Sequence, residues 1–191
     1  MRRYPESLSR LREALTLHQE LGDRGGQGIC LSRLGIVYGK LGRFTEAITC
    51  LQEALTLRRE SGNRHDQANS AAHLGRVYGR VGRYGDATAC LQESLTLSQE
   101  LGNRWHQADS LQGLGIVSER VGHLEAAIAN LQESRTIFQQ ALQATARHAQ
   151  AQAAWQEALT IYETLQLPEA DQLRARLAAM SPESAQPSTG G

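Results

Sequence analysis

The sequence copies itself every 40 residues, and that property limits the possible folds more than any composition figure. Three segments align without a gap: "LREALTLHQELGDRGGQGICLSRLGIVYGKLGRFTEAITC" from Leu11, "LQEALTLRRESGNRHDQANSAAHLGRVYGRVGRYGDATAC" from Leu51, and "LQESLTLSQELGNRWHQADSLQGLGIVSERVGHLEAAIAN" from Leu91. A fourth copy opens with "LQESRTIF" at Leu131. A unit repeated in this way cannot bury its apolar face alone, so neighbouring units must stack.

Each unit carries two helical patterns. In the first, Ala71, Leu74 and Tyr78 fall on one face, and Gly82 closes the helix. In the second, Tyr84, Ala87, Leu91 and Leu95 form an apolar stripe with Ser94 among them. The pairs Gly22-Asp23, Gly62-Asn63 and Gly102-Asn103 then turn the chain. Glycine inside a helix costs about 1 kcal/mol against alanine. The recurrence of Gly35, Gly75 and Gly115, with Ala47, Ala87 and Ala127, therefore predicts close helix–helix approach. With two Phe and two Trp in 191 residues, the interior must be built from Leu and Ala. The expected class is all-α, an α-solenoid of antiparallel helix pairs.

The residues Leu34, Gly35, Tyr38, Gly42, Phe44, Ala47, Leu51 and Ala54 resemble the tetratricopeptide repeat (TPR). Leu74, Gly75, Tyr78, Gly82, Tyr84, Ala87 and Leu91 repeat the pattern, with Ser94 in place of the last Ala. The third copy keeps Leu114, Gly115, Gly122, Ala127 and Leu131 and departs at Ser118, Leu124 and Ser134. The usual unit has about 34 residues; the surplus lengthens the helices around the Gly-Asn turn. The resemblance implies a right-handed superhelix whose first helices line a concave, partner-binding face. The long unit, the "ELGDR" and "ESGNR" turns and the ending "AAWQEALTIYETLQLPEADQLRARLA" are similar to C-terminal TPR regions of bacterial transcriptional regulators of the antibiotic-regulatory and signalling-ATPase type.

The implied organisation is a half unit at 1–24, full units at 25–64, 65–104 and 105–144, an aberrant unit at 145–166 and a capping helix at 167–180. The stretch 181–191, rich in Pro, Ser and Gly, is expected to be disordered. Arg3 and Tyr4 align with Arg43 and Phe44, so Met1 falls mid-unit and Tyr4, Leu8, Leu11 and Leu15 are expected to face a missing helix. The chain thus reads as a fragment of a longer one. At the other end, "AWQEALTIYETL" restarts the pattern about 16 residues early. Leu124, Ile128, Leu131, Phe138 and Leu142 share one side, whereas Trp155, Ala158, Leu159 and Tyr162 lie roughly 200° around at about 100° per residue. This predicts a break near 143–148 with Thr145 as a cap; a single helix that switches faces is the close alternative.

No chemistry of catalysis is legible. The six histidines form no HExxH or His-x-His pair, and His65 is expected in a solvated loop. "GDRGGQG" at 22–28 follows no strand and lacks Gly-Lys-Ser/Thr, so it reads as a flexible turn rather than a phosphate loop. Glu13, Glu53, Glu93 and Glu133 recur once per unit as a repeated solvated or packing position rather than an acid–base pair. Cys50 and Cys90 occupy equivalent places about one repeat width apart, beyond disulfide reach, so Cys30, Cys50 and Cys90 are expected as buried free thiols. No enzyme, cofactor or metal site is expected. Acidic and basic residues number 20 each, which argues against bulk attraction to nucleic acid or membrane. The absence of an apolar span or a signal-like N-terminus makes the expected location cytoplasmic.

Carrying the concave positions of the resemblance onto this chain gives Arg33, Ile36 and Lys40, then Asn69, His73, Arg76 and Arg80, then Asp109, Gln112, Ile116 and Arg120. Five of these are cationic against one Asp, so an acidic or C-terminal-carboxylate peptide is one expected ligand; cations that merely solvate the face or pair with neighbouring acids are the other reading. The expected role is a non-enzymatic interaction scaffold, with a part in the oligomerisation of an ATPase-type regulator as the alternative. Self-association through the N-terminal helix or the aberrant last unit is a further expectation. Trp105 is either a partner anchor or the cover of a repeat junction.

Overall fold

The computed structural model describes residues 3–164 together with Asp171, Arg174 and Ala175. Among these residues the chain forms seven helices: α1 (Arg3–Glu20), α2 (Arg24–Lys40), α3 (Phe44–Glu60), α4 (Arg64–Arg80), α5 (Tyr84–Glu100), α6 (Arg104–Arg120) and α7 (Leu124–Thr164). None of the described residues is in a strand. The fold is an all-α repeat solenoid. Apart from Asp171, Arg174 and Ala175, which are helical, the expected capping helix at 167–180 lies outside the described residues, as do the tail at 181–191 and the side chain of Tyr4.

Gly22, Gly62 and Gly102 have φ of 66°, 68° and 66°, the left-handed conformation that ends a helix without a Cβ penalty. The residue after each glycine bonds back to the helix it leaves, as in Asn103 N–H to the Ser98 carbonyl at 2.9 Å. That same residue starts the next helix. The side chains of Asp23, Asn63 and Asn103 accept from the backbone N–H of Gly26, Asp66 and His106 at 2.9, 3.0 and 3.1 Å. Two adjacent residues therefore close one helix and open its successor.

The core follows the small-residue register. Leu51 and Leu91 are fully buried, and each lies against a helical glycine of the paired helix. A Cβ at Gly75 would stand 2.7 Å from Leu91 Cγ and 3.0 Å from the Ala87 carbonyl oxygen. Gly35 and Gly115 meet Leu51 and Leu131 in the same way. Between units, a buried tyrosine is held from two sides. Arg12 donates to the Tyr38 hydroxyl at 2.6 Å and Gln52 to that of Tyr78 at 2.8 Å. The guanidinium groups of Arg43 and Arg83 cover the two rings at 4.7 and 4.3 Å. Serine replaces the tyrosine at Ser118, so the ladder stops there. Arg24 with Glu60, and Arg64 with Glu100, add surface ion pairs one repeat apart.

Four expectations need correction. Helix α7 runs without a break through 143–148, over 41 residues, or about 62 Å at 1.5 Å per residue. Nothing in 124–164 is Gly or Pro, and the stretch that changes faces is rich in Ala, the strongest helix former. Of the two expectations, the single continuous helix is the one observed. Thr145 is no cap; its Oγ1 donates to the Ala141 carbonyl at 2.9 Å, one turn back within the helix. Second, only 21–23 form a turn in the glycine-rich stretch, because α2 begins at Arg24. Gly26 and Gly28 are buried in α2, where His18 and Arg58 pack onto their bare backbone. Third, His65 lies in the first turn of α4 rather than in a loop. Fourth, Leu8 is buried and Leu11 and Leu15 pack against the same core, so these residues do not face a gap. Leu17 of α1 is left more than half exposed.

Cα packing divides the chain into residues 1–138 and residues 139–191. The stacked helices belong to the first unit. In the second, Leu142 is exposed on α7. Among the described residues, no helix is long and apolar enough to cross a membrane.

Candidate functional site

The first helices of the pairs place three residues in one register: Arg33, Ile36 and Lys40 on α2, His73, Arg76 and Arg80 on α4, and Gly113, Ile116 and Arg120 on α6. A spacing of three and four sets each trio on one helix face. Three hollows open along these faces. The first, of about 410 Å³, is lined by Ser7, Arg10, Leu11, Arg33, Ile36 and Val37. The next, of about 300 Å³, shares Ile36 and adds Lys40, Leu51, His73, Arg76, Val77 and Arg80 around Gly39. The third, of about 530 Å³, shares Arg76 and Arg80 and adds Phe44, Tyr84, Leu91, Ile116, Val117 and Arg120 around Gly79 and Gly113. Shared walls make the three consecutive.

Eight of the eleven residues chosen from sequence line these hollows: Arg33, Ile36, Lys40, His73, Arg76, Arg80, Ile116 and Arg120. Asn69 and Gln112 line none of them. Asp109 grips Arg76 in a two-point ion pair, Nη1 to Oδ1 at 2.5 Å and Nη2 to Oδ2 at 2.6 Å. One cation of the expected basic set is thereby neutralised within the protein. Arg80 stacks on the Phe44 ring at 4.7 Å and donates to the Gly39 carbonyl at 2.9 Å, which fixes its guanidinium without cancelling its charge. Arg33, Lys40 and Arg120 are exposed and have no ion pair among the described residues.

Burial holds His73 down to about 4, with the neighbouring Arg76 cation adding to the effect and Asp109 opposing it. At neutral pH it is therefore an uncharged imidazole between arginines. Sequence reasoning missed Gly113, Phe44 and Tyr84. Phe44 and Tyr84 belong to second helices, α3 and α5, yet their rings reach the third hollow. Gly113 stands where α2 has Arg33 and α4 has His73, and Leu91 packs onto its bare backbone, where a Cβ would stand 2.7 Å from Leu91 Cδ2. That register is readable in the repeat, but the set expected for the third unit holds Gln112, one residue before Gly113.

Elsewhere, Trp105 in the first turn of α6 packs its ring against Phe138 of α7 at 5.4 Å and remains exposed. His65 and His106 rings lie 5.2 Å apart, with the Asn103 amide nitrogen within 3.4 and 3.2 Å of one nitrogen of each. Among the described residues, no three His, Cys, Asp or Glu come together as metal ligands. The three cysteines are free: Cys30 is buried, Cys50 and Cys90 are half-buried, and burial pushes each thiol up.

Among curated proteins, none matches this chain. A crystal structure of BtubC (BKLC) from P. vanneervenii is similar in fold, with a TM-score of 0.68 at 18% identity over 98% of this chain and 77% of that one. The family described as Tetratricopeptide repeat matches residues 1–60, 31–100 and 66–140. Together with the paired helices and their 40-residue register, these matches place the chain in the tetratricopeptide-repeat family.

Proposed function

We propose that this chain is a protein-interaction scaffold that takes an acidic peptide, or a peptide's C-terminal carboxylate, along the hollows lined by α2, α4 and α6. TPR repeats mediate protein–protein interaction in general. The finer reading rests on one observation. In a chain of zero formal net charge, Arg33, Lys40, Arg80 and Arg120 lie along consecutive hollows with no carboxylate partner among the described residues. Guanidinium forks suit carboxylates, and the apolar walls from Ile36, Phe44, Tyr84 and Ile116 supply area for the ligand's side chains. Neutral His73 adds hydrogen bonding without adding charge.

The test is fluorescence anisotropy with a labelled acidic decapeptide carrying a free C-terminus, against its C-terminal amide and a basic control. The reading predicts binding that weakens with salt and falls about tenfold or more, roughly 1.4 kcal/mol, in Arg80→Ala/Arg120→Ala. Equal binding by that double variant, with an unchanged salt slope, sinks it. The regulator setting suggested by the "ELGDR" and "ESGNR" turns is a proposal of the same standing. It predicts that full-length parents carry upstream DNA-binding and nucleotide-binding domains.

A further inference from the structure

The repeat also states what should cover each second helix. On α3, Leu51 is fully buried, Val77 of α4 lines the same hollow, and Phe44 lies under Arg80. On α5, Leu91 is fully buried, and Gly113 of α6 meets it. The same positions on α7 are Leu124 and Leu131, and they are 62% and 39% exposed, with Ile128 between them 56% exposed. The cause lies in the chain path: α7 continues where a first helix of the next pair would have turned back.

We propose that a single helix from a partner protein completes this face, and that it is apolar in the middle, acidic in its N-terminal half and basic in its last turn. The polarity follows from charge. A covering helix runs antiparallel to the helix it covers, so its last turn meets the start of α7, as Arg80 meets Phe44. There the ordinary units have Gly39 and Gly79, where an added Cβ would stand 3.4 Å from Val77 Cγ2 and Val117 Cγ2. The last unit has Glu119 instead, exposed and followed by exposed Glu125 at the start of α7. Further along, where Leu55 and Leu95 are buried, the last unit has exposed Arg135. Glu119, Glu125 and Arg135 have no ion pair among the described residues. An acid opposite Arg135 and a base opposite Glu119 also suit the dipole of the incoming helix. Among the described residues, a second copy of this chain offers no free helix of the covering kind, because α2, α4 and α6 are each already packed between two others.

The probe is a hydrocarbon-stapled peptide with the sequence of residues 64–80 carrying Arg64→Glu, which makes its N-terminal half acidic, with the staple on its outward face so that helix formation does not limit binding. Anisotropy should show saturable binding to the full chain. Ile128→Asp should weaken it at least tenfold, with helical circular dichroism unchanged. Glu119→Lys should weaken it several-fold, and the peptide carrying the Arg80→Glu change should regain affinity for that variant, a rescue that a general loss of folding would not give. Binding indifferent to Ile128→Asp overturns the proposal. So does a wild-type dimer in sedimentation that Ile128→Asp converts to monomer, since the occupant would then be a second copy. A tenfold gain in peptide affinity in Leu173→Asp/Leu177→Asp overturns it too, because the chain's own C-terminal segment would be the cover. The Arg80→Ala/Arg120→Ala double variant of the hollows should bind this peptide as wild type does, which keeps the two sites separate.

Discussion

Replacing Gly75 with alanine measures how far the repeat's glycines are fixed by packing. In an ordinary helix the change would stabilise by about 1 kcal/mol, since alanine is the better helix former. At Gly75 the new Cβ would meet the Ala87 carbonyl oxygen at 3.0 Å, Leu91 Cγ at 2.7 Å and Cys90 Cβ at 3.2 Å. Leucine can rotate, but the carbonyl belongs to the α5 backbone, so relief requires α4 and α5 to separate. Overpacking of this kind costs about 1–3 kcal/mol. Set against the propensity gain, the net is a loss of about 1 kcal/mol. Gly85 is the internal control. It sits in the first turn of α5 with nothing within 4 Å of a Cβ, so Gly85→Ala should gain about 0.5–1 kcal/mol. Thermal unfolding followed by circular dichroism should then separate the two variants by about 3–8 °C, Gly75→Ala below wild type and Gly85→Ala above. If Gly75→Ala stabilised as much as Gly85→Ala, the close-approach account of the repeat glycines would be refuted.

His73 predicts an acid sensitivity. Its folded value is held down to about 4, below the ordinary 6.5, so the unfolded chain takes up the proton first. The contribution is intact above pH 6.5 and is lost as pH falls towards 4, up to about 3 kcal/mol at about 1.4 kcal/mol per unit. Urea midpoints across that window should fall less steeply in His73→Gln than in wild type. Asp109→Asn should release Arg76 from its two-point ion pair and strengthen acidic-peptide binding by a few-fold to about tenfold, measured by anisotropy at low salt. Unchanged affinity would mean that Arg76 does not face the ligand.

The fold was legible because its rules are local and repeated. Gly62-Asn63 and Gly102-Asn103 announce a helix end and a cap in two residues, and the structure uses both in that way. Gly35 and Gly75 announced close approach, and their missing Cβ atoms face Leu51 and Leu91. Errors arose where local chemistry has two outcomes. Glycines 25, 26 and 28 look like a loop, yet His18 and Arg58 fill the space above Gly26 and Gly28 and keep α2 helical. The face change along 124–164 looks like a break, yet an Ala-rich stretch without Gly or Pro carries one helix through it. For the site, the register of Ile36, Arg76 and Ile116 could be copied from unit to unit. The pairing of Arg76 with Asp109 could not, because Ile29 and Asn69 occupy that position in the other units. The stacking of Arg80 on Phe44 joins residues 36 positions apart and needed the packed helices to be seen.

The central claim is that the register of α2, α4 and α6 forms the ligand-binding face. Titration of the isotope-labelled chain with the acidic decapeptide, read by amide and methyl chemical shifts, tests it most directly. The account predicts the largest shifts at Ile36, Val77, Ile116 and Val117, with α1 Leu17 and the α5 turn at Leu101 left in place. Shifts gathered on the second helices, α3 and α5, with Ile36 and Ile116 unmoved, would contradict it.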